Sequence, residues 1–244
     1  MVNARGSISI TEIMRKLKVS RETIRRDLVV LDDERRLRKT HGGALSLEQS
    51  EPEMNVRQVT NAAGKRAIGR LAASLVPDGA SVILASGTTV QSVADALMAR
   101  RQLTVFTNSV ISCSMLMGHN GSRVYMLGGE VQALNGATLG RDATQMLANY
   151  FADFAFIGAG AVSPAGWLMD YTREEAELHS AMLQAARTAV VVADQGKFGR
   201  FAPVRLNNFE RVTHLITDAS PDPEIGAALA ALPLDVLIAS QDQP

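Results

Sequence analysis

The 244-residue sequence predicts an α/β protein with a mostly parallel, helix-covered, Rossmann-like sheet, preceded by a small winged helix-turn-helix domain. Three observations predict this architecture. They are two short amphipathic segments near the N-terminus, a basic glycine-containing segment after them, and seven apolar runs that alternate with helical patterns. Apolar residues make up 46% of the chain, which is enough for a substantial core.

Charge is distributed unevenly, although the net charge is zero. Residues 1–47 contain 11 Lys and Arg against 6 Asp and Glu, a net charge of +5, which leaves −5 on the remainder. A basic segment on an acidic body is typical of a nucleic-acid-binding module joined to a partner domain, because cationic side chains neutralise phosphates. Charge alone leaves chance clustering open as an alternative.

The cysteine and hydropathy patterns exclude several classes of protein. Cys113 is the single cysteine, so the chain has no internal disulfide and no multi-cysteine metal site. No run approaches the ~20 apolar residues of a membrane span, and the N-terminus lacks the apolar core of a signal peptide. We therefore expect a cytoplasmic protein with no membrane association, no metal and no cofactor.

Two N-terminal segments predict a helix-turn-helix. Ser9 and Glu12 have the spacing of a capping box, and four apolar residues then share one helical face: Ile10, Ile13, Met14 and Leu17. Ser20 is positioned to cap a second helix, and three apolar residues of this helix point inward: Ile24, Leu28 and Leu31. The outward face of the second helix has three arginines and a threonine, which suits it to a DNA groove.

A basic hairpin and a linker follow the second helix. Residues 35–45 contain four Lys and Arg and a Gly42-Gly43 turn, which is the composition of a wing whose positive edge can follow a phosphate backbone. The next residues lose periodicity and become polar. We therefore predict a winged helix-turn-helix domain over 1–47, a linker over 48–60, and a second domain over 61–244.

The second domain shows strand and helix patterns in alternation. The predicted strands are Ser81–Ser86, Leu103–Asn108, Arg123–Gly129, Phe154–Gly160, Thr188–Asp194, His214–Asp218 and Asp235–Ser240. The predicted helices between them include Lys65–Val76, Val90–Arg101, Ala143–Tyr150 and Glu174–Arg187. Near-continuous apolar strands indicate a parallel sheet that is covered on both faces.

Small and polar residues lie at the ends of five of the predicted strands. Ligands of open α/β sheets bind at the carboxyl ends of the strands, so these residues predict a site for a small polar ligand. The first strand runs through Ser86-Gly87-Thr88-Thr89 into a helix, which offers backbone N–H groups to an anion. An ordinary capped turn is the alternative reading of that loop. The other four ends are Thr107-Asn108-Ser109, Gly128-Gly129-Glu130, Gly158-Ala159-Gly160 and the segment from Asp194 to Gly199, which includes Lys197.

These motifs resemble the DeoR family of bacterial transcriptional regulators. Val19-Ser20, the run from Thr23 to Leu28, Arg38 and His41-Gly42-Gly43-Ala44 match the family's N-terminal signature in type and spacing. The remaining chain resembles the effector-sensing domain of the family, which is related in fold to ribose-5-phosphate isomerase and glucosamine-6-phosphate deaminase. The resemblance covers nearly the whole chain.

The resemblance implies a repressor of a carbohydrate-use operon that a phosphorylated sugar controls. Its partners would be operator DNA, the sugar phosphate, and further copies of the chain in a homodimer or homotetramer. The implied DNA-binding residues are Ser20, Arg21, Thr23, Arg25, Arg26, Arg38, Lys39 and His41. The implied effector-binding residues are Lys65, Ser86, Gly87, Thr88, Thr89, Asn108, Ser109, Gly128, Gly129, Glu175 and Lys197.

Two departures from the family pattern modify these expectations. Only eight residues precede Ser9, so we expect the first helix of the motif to be missing or shortened, with Ile24 and Leu28 partly uncovered. Ala85 stands where the family usually has an aspartate, which predicts an unusual effector specificity.

Two other functions compete with the repressor. A sugar-phosphate isomerase or deaminase needs a second carboxylate beside Glu130, and the sequence has none there, which favours binding without catalysis. A co-regulator that does not bind DNA is the other alternative, and the short N-terminus favours it.

Overall fold

A computed structural model describes residues 7–34, 36–40, 42–45 and 51–240. The chain divides into two compact units, Met1–Pro52 and Glu53–Pro244. The boundary therefore lies inside the segment that the sequence predicts as a linker.

The first unit has the order of elements expected for a winged helix-turn-helix. Its elements are β1 (Ser7–Ser9), α1 (Ile10–Leu17), α2 (Arg21–Asp33), β2 (Arg38–Lys39) and β3 (Gly43–Leu45). The strands form an antiparallel sheet in the order β1-β3-β2. Both predicted caps are present, because the Ser9 hydroxyl accepts from the Glu12 amide and the Ser20 hydroxyl accepts from the Thr23 amide.

A small apolar core holds the first unit together. Its buried residues are Ile8, Ile10, Ile13, Ile24, Leu28, Leu37 and Ala44. The expectation that Ile24 and Leu28 are partly uncovered is wrong, because packing within this core leaves them only 2% and 4% exposed. Leu17, predicted to face inward, is 52% exposed at the last position of α1. The sequence also predicts that the first helix of the motif, before Ser9, is missing or shortened. Residues 1–6 of that segment lie outside the described residues.

Gly43 has a different role from the predicted one. It lies in β3 opposite Ser9 rather than in the turn, and a Cβ atom there would collide with the backbone carbonyl of Ile8. Glycine is therefore required at this position for close packing of β3 on β1.

The second unit alternates helices and strands over its whole length. Its helices are α3 (Met54–Val59), α4 (Ala62–Ser74), α5 (Thr88–Leu97), α6 (Val110–Leu116), α7 (Arg141–Leu147), α8 (Arg173–Gln184) and α9 (Pro223–Ala230). Its longer strands are β4 (Ser81–Leu84), β5 (Thr104–Thr107), β6 (Arg123–Met126), β9 (Ala152–Ile157), β12 (Ala186–Val192), β14 (Val212–Thr217) and β15 (Asp235–Ile238). Its short strands are β7 (Val131–Gln132), β8 (Ala137–Thr138), β10 (Ala161–Val162), β11 (Leu168–Asp170) and β13 (Val204–Arg205).

The seven longer strands form one parallel sheet in the order β15-β14-β12-β9-β4-β5-β6. All seven correspond to predicted strands, so the predicted fold class is confirmed. The chain proceeds from β4 to β6 in one direction and from β9 to β15 in the other. Right-handed crossovers in opposite directions place helices on opposite faces and create a topological switch point between β4 and β9.

The pair β4 and β9 is fixed at the amino end of the sheet by Asp153. This carboxylate accepts from the amide and the hydroxyl of Ser81, at 2.9 and 2.7 Å. These two hydrogen bonds lower the pKa of Asp153. The strands beside the switch point are therefore held in register at the end opposite the predicted ligand site.

Helix α3 corrects the predicted linker. Residues 54–59 form a helix, although their sequence has no clear helical periodicity, and Arg57 within it is buried. Tertiary contacts stabilise this short helix rather than intrinsic propensity. Within the described ranges, every helix is too short or too polar to cross a bilayer.

Candidate nucleic-acid interface and ligand site

The arginines of α2 form an exposed cationic surface. Arg21, Arg25 and Arg26 all point into solvent, and Ile24 and Leu28 on the opposite side anchor the helix in the small core. Ser20 is exposed, and its hydroxyl lies 2.8 Å from that of Thr23, so the helix cap occupies both side chains. A capped helix with exposed guanidinium groups is suited to phosphate and base-edge contacts.

A shallow groove beside α2 adds one wing residue to this surface. Arg25, Arg26 and Lys39 line it together with Glu22, Val29 and Val30. The Arg26–Glu22 ion pair, at 3.6 Å, is too exposed to hold Arg26 firmly. Arg38 lies in β2, and its side chain, like the whole of His41, is outside the described residues.

The second candidate site lies at the switch point between β4 and β9. Ser86 and Gly87 follow β4 and lead directly into α5. Gly87 has a φ of 111°, which favours glycine, and no described side chain caps the helix there. The first-turn N–H groups of α5, beside the buried hydroxyl-bearing Thr88 and Thr89, are therefore available to an anion.

Lys65 on α4 brings a buried positive charge to this site. The side chain is 4% exposed, and its ammonium donates a hydrogen bond to the backbone carbonyl of Arg57. Burial lowers the pKa of Lys65, Lys197 and Arg57 lower it further, and Asp194 and Asp218 oppose the shift. Lys197 is half-buried in a 3₁₀ turn after β12, so the two predicted lysines lie close enough for their charges to interact.

Glu175 is buried and belongs to a chain of side-chain hydrogen bonds. Its carboxylate accepts from the Thr172 hydroxyl at 2.9 Å and from the Asn135 amide at 3.2 Å. Asn135 in turn accepts from the Arg57 guanidinium at 2.7 Å. The sequence predicts Glu175 as a ligand-binding residue, and the structure connects it to Arg57, to which Lys65 also bonds.

Two predicted residues have structural hydrogen bonds in the interior. The Asn108 amide donates to the backbone carbonyl of Thr138, and the Ser109 hydroxyl caps α6. Both side chains are completely buried, although Asn108 Oδ1 has no hydrogen-bond partner among the described residues. Gly128 and Gly129 follow β6 and lead into the β7–β8 hairpin that Asn108 anchors. The pairs Asn108-Ser109 and Gly128-Gly129 therefore support the loop that contains Asn135.

A cavity of about 240 Å³ lies beside the α5 N-terminus. Lys65 and Thr88, both predicted site residues, line it together with the basic Arg66, the acidic Asp95, and the amides of Gln58 and Gln91. The Gln91 side chain is buried, and within the described ranges its Nε2 has no hydrogen-bond acceptor. A buried amide without a partner costs free energy, so a polar ligand atom here would be stabilised.

The sequence prediction missed four residues of this site: Arg57, Asn135, Gln91 and Asp218. Arg57 was missed because it lies in a short segment without helical periodicity. Asn135 lies in a polar hairpin 78 positions along the chain from Arg57, a separation that no local pattern reveals. Asp218 ends β14, and its carboxylate accepts from Asn61 and from the Gln195 amide, both at 2.7 Å. The strand-end argument could have found Asp218.

Two family models match the chain. A model described as "DeoR-like helix-turn-helix domain" matches residues 1–50, and one described as "DeoR C terminal sensor domain" matches residues 60–219. The first match lies within the first compact unit and the second within the second.

Curated relatives match over most of the chain. The HTH-type transcriptional repressor GlcR of Bacillus subtilis is 33% identical over 97% of this chain and 92% of its own length. The glycerol-3-phosphate regulon repressor of Haemophilus influenzae is 32% identical over 91% of this chain and 87% of its own length. Among solved structures, ribose 5-phosphate isomerase A of Methanocaldococcus jannaschii matches 57% of this chain and 55% of its own, with 19% identity and a TM-score of 0.42.

Proposed function

Since the chain belongs to the DeoR family of transcriptional regulators, we propose that it represses a carbohydrate-use operon and that a phosphorylated sugar controls it. It is a regulator and not an enzyme, because both family models describe regulatory domains and the named relatives are repressors. The name of the Haemophilus influenzae relative refers to a phosphorylated polyol, which supports a ligand of this class.

The observation that carries the proposal is that Lys65 and Thr88, the first residue of α5, line one cavity, while no described side chain caps α5. A buried ammonium and free backbone N–H groups at a switch point attract an anion, and phosphate is the anion that helix N-termini commonly bind. Thr88, Thr89 and Lys197 would complete the phosphate subsite. Glu175 would accept hydrogen bonds from sugar hydroxyls, and Asn135 would donate hydrogen bonds to them.

The DNA-binding role belongs to α2 and the wing. Arg21, Arg25 and Arg26 would contact base edges and phosphates in the major groove, and Lys39 would add a phosphate contact from the wing. One such module has a modest contact area, so two copies of the chain would bind a two-fold-related operator as a homodimer or within a homotetramer.

The direct experiment is a thermal-stability screen of the full-length protein with sugar phosphates. Glycerol 3-phosphate, ribose 5-phosphate and glucosamine 6-phosphate form the starting panel. A ligand present at 100 times its Kd adds about 2.7 kcal/mol to the free energy of unfolding. We expect at least one compound of this class to raise the Tm, and Lys65→Met to abolish the effect.

Arg70→Met is the matched control, because Arg70 is exposed on the same helix and should leave the response intact. If no phosphorylated sugar raises the Tm of the wild type, the proposed effector class is wrong.

A further inference from the structure

Helix α3 is the first element of the second unit and lies beside the candidate ligand site. It begins at Met54, two residues after the boundary at Pro52, so the chain that leaves the DNA-binding unit enters it directly. Among the described elements, α3 is therefore the one of the second unit that lies nearest along the chain to the DNA-binding unit.

Hydrogen bonds to residues of the ligand site help to hold α3 in place. The Arg57 guanidinium donates to Asn135 at 2.7 Å, and Asn135 donates to Glu175. The Lys65 ammonium donates to the Arg57 carbonyl, so one residue of α3 is held through both its side chain and its backbone. Gln58 of α3 also lines the cavity that Thr88 at the start of α5 lines.

These contacts place α3 within the electrostatic field of the site. The charges of Arg57 and Lys197 both lower the pKa of Lys65, so three cations lie close together, with Asp194 and Asp218 as the opposing charges. An anion that enters this group attracts all three cations. It also competes with the Arg57 carbonyl for the Lys65 ammonium and with Asn135 for the Arg57 guanidinium.

We propose that α3 forms a wall of the ligand site and that Arg57, through Lys65 and Asn135, couples ligand binding to the segment entering the DNA-binding unit. The proposal rests on the proposed function, because it takes the ligand to be a sugar phosphate. Without ligand, the hydrogen bonds that Arg57 forms with Asn135 and Lys65 help to fix α3 against the pocket. With ligand, the phosphate draws Lys65 and Arg57 toward itself, and α3 loosens.

Hydrogen exchange of the amides in residues 54–59 of the full-length protein tests this coupling. Without ligand, Arg57→Ala should accelerate exchange about fivefold, the size expected from the loss of one net hydrogen bond. In the wild type, the panel member that raises the Tm should accelerate exchange of the same segment by a similar factor. In Arg57→Ala the ligand should add little further acceleration, and the control Arg70→Ala should behave as the wild type does.

Asn135→Ala provides a second variant that leaves α3 itself unchanged. It removes the acceptor of the Arg57 guanidinium and should accelerate exchange in residues 54–59 without ligand. A substitution that merely unfolds the protein would accelerate exchange throughout the sheet, so β9 and β12 serve as internal references.

The outcomes separate this coupling from the proposed function. If a sugar phosphate raises the Tm but leaves exchange of residues 54–59 unchanged or slower, the coupling is wrong and the proposed function stands. If no phosphorylated sugar raises the Tm, the proposed function fails, and the coupling fails with it. Inorganic phosphate tests the anion alone, and acceleration by it assigns the release of α3 to the phosphate group.

Discussion

The cations of the two units are presented in opposite ways. In the first unit, Arg21, Arg25 and Arg26 stand exposed on a helix whose apolar face supplies the fold. In the second unit, Lys65 and Arg57 are buried and hydrogen-bonded to other parts of the site. Exposed cations suit a large polyanion that approaches from solvent, whereas buried cations suit a small anion that enters a cavity.

Function and stability are therefore connected differently in the two units. The arginines of α2 contribute little to folding, so their loss should affect DNA binding alone. Arg57 and Lys65 satisfy other buried polar groups, so their loss should affect both stability and ligand response. An Arg→Met substitution in each unit therefore separates an effect on DNA binding from an effect on stability.

The largest effect is expected for operator binding by Arg25→Met. Loss of a guanidinium that contacts the groove should weaken binding by about 2 kcal/mol, roughly 30-fold, and reduce the slope of affinity against salt by about one. The free energy of unfolding should stay within about 0.5 kcal/mol of the wild type, since Arg25 is exposed. Fluorescence anisotropy at several salt concentrations and urea unfolding measure the two quantities. A large loss of stability would contradict the comparison.

The same Arg→Met change at a buried position should lower the stability of the protein. Arg57→Met leaves Asn135 Oδ1 without its guanidinium donor and should lower the free energy of unfolding by about 1.5 kcal/mol. Urea unfolding measures this loss. Stability equal to that of Arg25→Met would show that burial does not distinguish the two arginines.

The smallest effect is expected for the pH dependence of sugar-phosphate affinity. Burial lowers the pKa of Lys65, so its ammonium begins to lose its proton at a lower pH than an exposed lysine. Sugar-phosphate affinity should be complete below this lowered pKa and fall as pH rises through it, by about twofold where half the lysine is neutral. Calorimetric titration between pH 7 and 10 measures the effect, and pH-independent affinity would exclude Lys65 from the phosphate subsite.

Much of the fold was predictable because its signals are local. The seven strands of the large sheet are short apolar runs, and Ser9 and Ser20 are caps that a three-residue spacing reveals. The strand ends could be read in the same way, and this identified the Ser86–Thr89 loop. Its position at the switch point follows from strand order.

The remaining features depend on tertiary contacts that sequence spacing does not encode. Helix α3 has six residues and no clear periodicity, and Arg57 within it is bonded to Asn135, which lies 78 positions along the chain. Asn108 and Ser109 have ligand-binding chemistry, but complete burial gives them structural hydrogen bonds. Residue type predicted the chemistry available at the site, and burial decided which partner each residue has.

We expect a sugar phosphate bound in the second unit to change operator affinity, and an operator titration with and without ligand measures this coupling. Full-length protein is titrated onto DNA from its own upstream region, in the presence and absence of the compound that raises the Tm. This coupling predicts salt-sensitive binding whose Kd changes by about tenfold or more when the ligand is saturating. Identical binding curves at a ligand concentration that stabilises the protein would contradict it.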